Sequence, residues 1–212
     1  MAKEALDAFL ELTPSPTMKA QISGESLVTK QGEEDSSKKA IIEIMSFRFG
    51  DAKSLAKAKE ADKRAAKHKD DEEDDEPVRA PVPAGKRSGT VEEDYRFQIT
   101  KQVEKSSPFL AQAYFSNSFK RKRHKYNGFT EAKVTFRKLG AHSQHPEFFF
   151  SLTFGYVYVV GYELQTQGPE PPTETVDFCF QTCEMSYRAQ SKDGTLGAPN
   201  IKGWNFATSK EM

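Results

Sequence analysis

The distribution of aromatic residues constrains this chain more than any other feature. Residues 51–94 contain no Phe, Tyr or Trp, and all 16 Phe, 7 Tyr and the single Trp lie in the rest of the 212 residues. Of those 44 residues, 23 are Asp, Glu, Lys or Arg. A stretch so charged and so poor in large apolar groups cannot bury enough surface to offset the entropy of ordering it. The remainder is richly supplied with core material. The reading is one domain over residues 1–212, of ordinary single-domain size, carrying a charged insert at 51–94.

The insert is patterned. Residues 52–69, AKSLAKAKEADKRAAKHK, are strong helix formers with seven basic side chains. Asp51 suits an N-cap, and Lys67 and Lys69 suit a helix C-terminus. Seven acidic residues follow at 70–76, then a segment with three prolines that favours extended backbone. Two readings stand side by side: a solvated helix with a linker, or a docking element that meets a neighbouring subunit through complementary charge.

Outside the insert, apolar residues alternate as in half-buried strands. Phe9 opens a first strand, with Glu11 on its face and Leu10 and Leu12 opposite. Ile41, Met45, Phe47 and Phe49 share one face of a second, with Ile42, Ile44 and Ser46 on the other. Tyr95, Phe97 and Ile99 form the third, and Ala132, Val134 and Phe136 the fourth. The run from Glu147 to Leu164 is apolar on both faces, as in a strand packed on two sides. Gly155 and Gly161 within it mark a bulge or bend. Val176, Phe178 and Phe180 alternate with Asp177, Cys179 and Gln181. One segment breaks the pattern. Ser107 at N-cap and Pro108 at N1 open a helix whose inner stripe is Leu110, Ala113, Tyr114 and Asn117. The fold class is mainly β: a small β-barrel or sandwich of about seven strands with one flanking α-helix.

Signs of catalysis are missing. The sequence has no G-x-S-x-G, no Walker loop, no G-x-G-x-x-G and no H-E-x-x-H. Cys179 and Cys183, read on one strand, sit about 13 Å apart at strand rise, too far for a disulfide. Zinc binding with His142 and His145 lacks a CxxC pair, so the cysteines read as semi-buried thiols. The basic run Lys120–Lys125 reads either as a solvated helix end or as a patch for phosphate or an acidic partner. Formal net charge is +0, which does not favour nucleic acid. The longest apolar run is short of the ~20 residues that span a membrane. The N-terminal residues, with Lys3, Glu4 and Asp7, do not read as a secretory signal. The expectation is a structural protein rather than an enzyme, with no cofactor and no metal.

Several motifs then line up in order. Phe9-Leu10-Glu11-Leu12 precedes Ile22-Ser23-Gly24-Glu25-Ser26. The second strand ends Ser46-Phe47-Arg48-Phe49-Gly50. Phe97 and Lys101 lead to Ser107, Pro108 and Leu110. Glu174, Val176, Phe178 and Phe180 form a further strand motif, and Tyr187, Gly194, Gly197 and Trp204 close the series. In these motifs the chain resembles the Hcp (haemolysin-coregulated protein) family, the inner-tube proteins of the bacterial type VI secretion system. The resemblance covers nearly all of the chain except 51–94. It implies a tail-tube-like barrel that forms hexameric rings, stacked into a tube inside a contractile sheath. It implies contacts with spike and baseplate, and effectors held in the ring lumen. It also implies assembly in the bacterial cytoplasm and secretion on firing. Asn205 stands where the family usually has Asp after the closing Trp. The insert falls where the family has an extended loop engaged in ring-to-ring contacts. The expected assembly residues are therefore Phe47, Arg48, Phe49, Gly50, Asp51, Lys53, Lys57, Arg64, Asp71 and Asp74. The alternatives are an effector carrier or chaperone with the same fold, or the tube protein of a related contractile injection system.

Overall fold

The structure is a computed structural model describing residues 6–16, 18, 24–25, 41–51, 55, 95–119, 128–138, 147–166, 168–191 and 195–212. Ten strands and a packed helix run in the order β1 (Leu6–Pro14), β2 (Ile42–Ile44), β3 (Ser46–Asp51), β4 (Tyr95–Gln102), α1 (Ser107–Phe119), β5 (Phe129–Lys138), β6 (Glu147–Gln165), β7 (Thr173–Cys179), β8 (Thr182–Gln190), β9 (Leu196–Asn205) and β10 (Lys210–Glu211). The mainly-β reading with a flanking helix holds. Leu55 is helical, while the rest of residues 52–94 lies outside the described residues.

Every ladder is antiparallel. One path runs β2–β1–β5–β6, and another runs β3–β4–β7–β6. The two far ends, β2 and β3, are joined by a single residue, Met45, whose amide donates to Thr100 O at 2.7 Å. The strand circuit therefore closes through the covalent chain at Met45 rather than through a ladder. This corrects the expectation of one continuous strand from Ile41 to Phe49. Its residues serve two ladders, and Met45 at the joint is 63% exposed rather than sharing a face with Phe47.

β6 is the shared wall of both paths. Its first part pairs with β5 and β8, and its last part with β7. Leu152 and Phe154 are buried, then Val157 and Val159, so the inward-facing parity changes from even to odd. Tyr156 lies between them with φ 54°, and this residue accomplishes the change. A register shift between Val159 and Gly161 restores even parity, bringing Tyr162 against the core. Both glycines marked in the sequence sit at these adjustments. A Cβ at Gly161 would meet the Asp177 carboxylate at 2.5 Å, and one at Gly155 would collide with the Thr182 hydroxyl.

The core enclosed by the circuit is a stack of rings. Phe97 lies between Phe154 at 4.3 Å and Phe178 at 4.6 Å, both stacked, with Phe180 beyond. Offset stacking of this kind adds to the burial of large apolar area. Leu110 and Ala113 of α1 belong to the same cluster, and Asn117 donates to Val159 O, which confirms the inner stripe of the helix. The helix begins one residue earlier than its Ser-Pro signal suggests. Ser106 O accepts the amides of Phe109 and Leu110, so Ser106 is the N-cap and Ser107 the first helical residue.

β8, β9 and β10 continue the sheet beyond the barrel as an arm. β7 ends at Cys179 and β8 starts at Thr182, so Cys179 and Cys183 lie on two strands, not one. The chain turns at Phe180-Gln181 because Phe180 dives into the core while Gln181 N donates to Gly155 O.

Candidate functional sites: a buried polar anchor and an open arm

The motif residues noted in the sequence divide into two places. The first is under the N-terminus of α1. Lys101 and Glu174 face each other across the β4–β7 ladder, both fully buried. Lys101 Nζ lies 2.8 Å from Glu174 Oε1 and 3.2 Å from Glu104 Oε1. It also donates to Gln102 O at 2.9 Å and to Ser107 Oγ at 3.3 Å. The Ser107 hydroxyl in turn donates to Glu174 Oε1 at 3.0 Å and accepts the Glu104 amide. This is why Ser107 does not cap the helix: its oxygen is used inside.

The second oxygen of Glu174 accepts the Tyr162 hydroxyl at 2.5 Å. Burial, and then the Glu174 carboxylate, hold the Tyr162 phenol well above its usual 10.0. On the outer side, Glu104 Oε2 accepts the Glu25 amide, and Glu25 Oε1 accepts the Lys105 amide. Gly24 is buried where a Cβ would run into the backbone at Ile41 and Ile42. Glu25, Lys101, Glu104, Ser107 and Glu174 thus form one hydrogen-bonded network beside the buried Gly24, in which the buried charges of Lys101 and Glu174 are paired as burial demands. Tyr162 was missed by sequence reasoning. Its position in a long apolar run gave no sign of a polar partner.

The second place is the arm. Met185, Tyr187 and Trp204 lie on the face that continues the inner face of β6, through the rows Phe154–Cys183–Trp204 and Leu152–Met185. Inside the barrel that face is buried. On the arm Met185 is 40%, Tyr187 49% and Trp204 39% exposed, and Ile201 on the opposite face is 50% exposed. The outer edge of β9 pairs with β10 only at Trp204 and Asn205. From Leu196 to Lys202 it has no strand partner among the described residues. Gly197 packs its α-carbon side near Ala189 O, where an added Cβ would lie 3.4 Å away.

The expected assembly residues are distributed unevenly. Phe47 turns inward against Phe97 and Phe136, whereas Phe49 contacts the rings of Phe154 and Phe180 while staying 38% exposed. Arg48 stands in a polar row with Gln98 and Asp177, whose side chains hydrogen-bond to each other. Gly50 and Asp51 end β3. Lys53, Lys57, Arg64, Asp71 and Asp74 lie outside the described residues, as do Ser26, Gly194, Lys120–Lys125, His142 and His145.

Both cysteines are buried thiols outside any disulfide. Burial, and then the charge of Glu184, pushes the Cys183 thiol up from 9.0 to about 12. The folded state therefore keeps its proton while the unfolded chain loses one above pH ~8.5, so this group lowers stability as pH rises from there towards 12. Iodoacetamide at pH 8 is expected to leave Cys183 unmodified in the native chain and to label it within minutes in 6 M urea, as read by intact mass. Rapid native labelling would contradict this burial.

Comparison with known proteins places these features. The family model described as "Type VI secretion system effector, Hcp" matches residues 17–187. No curated protein sequence matches the chain. Among solved structures, a type six secretion system protein aligns with TM-score 0.60 at 20% identity, over 98% of this chain and 100% of that one. Hcp1 from Salmonella typhimurium aligns with TM-score 0.58 at 18% identity, over 98% and 99%. The secreted protein Hcp3 from Pseudomonas aeruginosa aligns with TM-score 0.53 at 13% identity, over 95% and 98%. At these identities the structural likeness concerns the fold.

Proposed function

This chain belongs to the Hcp family of the type VI secretion system, and from that membership we propose that it is a structural subunit of the secretion tube, forming hexameric rings that stack. The observation that carries the proposal is the arm. It extends a core-type apolar face beyond the barrel and ends in an edge that, from Leu196 to Lys202, has no strand partner among the described residues. An arm projecting from one side of the chain suits head-to-tail association with a different surface of the next copy, which closes into a ring when the rotation permits. Pairing disposes of unbonded backbone groups, and a neighbour covers Met185, Tyr187 and Trp204. A tube wall needs no catalytic group. In this reading the sheath, spike and baseplate are the further partners, effectors are the cargo, and the chain is assembled in the cytoplasm and then secreted.

Electron microscopy of the full-length protein at low and moderate salt tests the proposal. Six-fold rings or tubes are the expected result. A monomer under every condition would sink it and leave the effector-carrier reading. We assign the insert to stacking, because its basic and acidic blocks are suited to charge-complementary contact between rings. Deleting residues 52–90 is expected to weaken tube formation and leave single rings intact, and raised salt is expected to mimic the deletion. Tubes that polymerise equally well without the segment would refute that role.

A further inference from the structure

Tyr156 is the wrong kind of residue for its backbone. A φ of 54° is the left-handed region, which Gly enters freely and Asn tolerates, and which a bulky aromatic enters only under strain. The fold explains the dihedral: it changes which residues of β6 face inward. It does not explain the side chain. Gly at this position would make the same change without strain.

The Tyr156 side chain is 57% exposed. Among the described residues it takes part in no ring contact, hydrogen bond or ion pair, unlike Tyr95, Tyr114, Tyr162 and Tyr187, which all contact other rings or a carboxylate. Nothing within the described fold offsets its strain. The surrounding backbone is firmly held. Gly155 is packed against Thr182, Gly155 O accepts the Gln181 amide, and Val157 is fully buried next door. The ring is therefore presented outward from a rigid corner, where little side-chain or backbone freedom remains to be lost on contact.

We propose that Tyr156 is an intermolecular anchor that inserts into a second copy of this chain. This rests on the tube reading, which supplies the occupant: the next copy of this chain. Tyr is among the residue types that dominate such contacts, since it brings large apolar area with a polar tip. Strain tolerated in the free subunit for a contact made in the assembly is also a reason for Tyr rather than Gly at this position.

The test uses the full chain with Tyr156→Gly, Tyr156→Asn and Tyr156→Phe. Thermal midpoints are measured on dilute monomer, and assembly by sedimentation velocity across concentration. Tyr156→Gly is expected to raise the midpoint by about 2–4 °C as strain is relieved. Both Tyr156→Gly and Tyr156→Asn are expected to raise the concentration needed for assembly at least about tenfold. Tyr156→Phe is expected to stay within about threefold of wild type. Tyr156→Asn keeps the test decisive if the glycine variant loosens the corner. Wild type and the Gly and Asn variants assembling alike would overturn the anchor and leave the tube reading intact. A wild-type chain that never assembles would overturn both.

Discussion

Lys101→Met is expected to destabilise the folded chain by about 3–5 kcal/mol, because it leaves the Glu174 carboxylate buried without its cation, and Glu174→Leu by less, because Lys101 keeps Glu104. Lys101 and Glu174 are both fully buried, and their direct contact is 2.8 Å. With Lys101 gone, Glu174 retains only the hydroxyls of Ser107 and Tyr162. With Glu174 gone, Lys101 retains Glu104, which is itself shared with Ser106 and the Glu25 amide. Combining the two substitutions is expected to recover most of the loss, since a well-packed apolar pair replaces a costly desolvated ion pair. Urea unfolding of the three variants reads this as a shift in midpoint at constant slope. For a domain of this size each kcal/mol moves the thermal midpoint by about 2–4 °C. Strictly additive single losses would show that the ion pair is not the coupled unit described here.

Tyr187→Ser combined with Trp204→Ser is expected to act in the opposite sense: assembly is lost while the monomer survives. Both side chains are more than a third exposed and lie on the arm rather than in the enclosed core. Their removal costs the monomer little, within a few degrees of midpoint. If they fill a neighbouring subunit, each is worth on the order of 2 kcal/mol there. Ring formation should then weaken by at least about a hundredfold, as measured by sedimentation velocity. Rings that persist at wild-type concentrations would move the interface away from the arm. A collapse of the monomer itself would show that the arm is part of the core.

How much of this was legible in the sequence follows from what each feature depends on. The period-2 alternation in β4 and β5 and the Ser-Pro start of α1 are local signals, and they located those elements. The division at Met45 was hidden because alternation continues through it. Only the pairing of Ile42–Ile44 with β1 and of Ser46–Asp51 with β4 separates the two strands. The change of parity at Tyr156 was hidden for the same reason, since a run apolar on both faces carries no phase. β9 escaped because its residues are mostly exposed and do not alternate. Glu25, Lys101, Ser107 and Glu174 were legible as motif positions, but their meeting was not. Three of the contacts that join them span 67 to 80 residues of chain. Tyr162 had no motif at all.

β6 also decides how the fold would respond to load. Its 19 residues run unbroken from the ladders with β5 and β8 to the ladder with β7. Sliding one half of the barrel past the other along this strand must shear all three ladders together, so β6 is a stiff spine. Met45 is the reverse, a seam: among the described residues β2 meets β4 there through one backbone hydrogen bond, Met45 N to Thr100 O, and through core packing rather than through a ladder. Thrust along the spine meets many bonds at once, whereas pressure across the barrel is relieved first at the seam. A fold with this asymmetry is built to transmit a push in one direction and to yield in another.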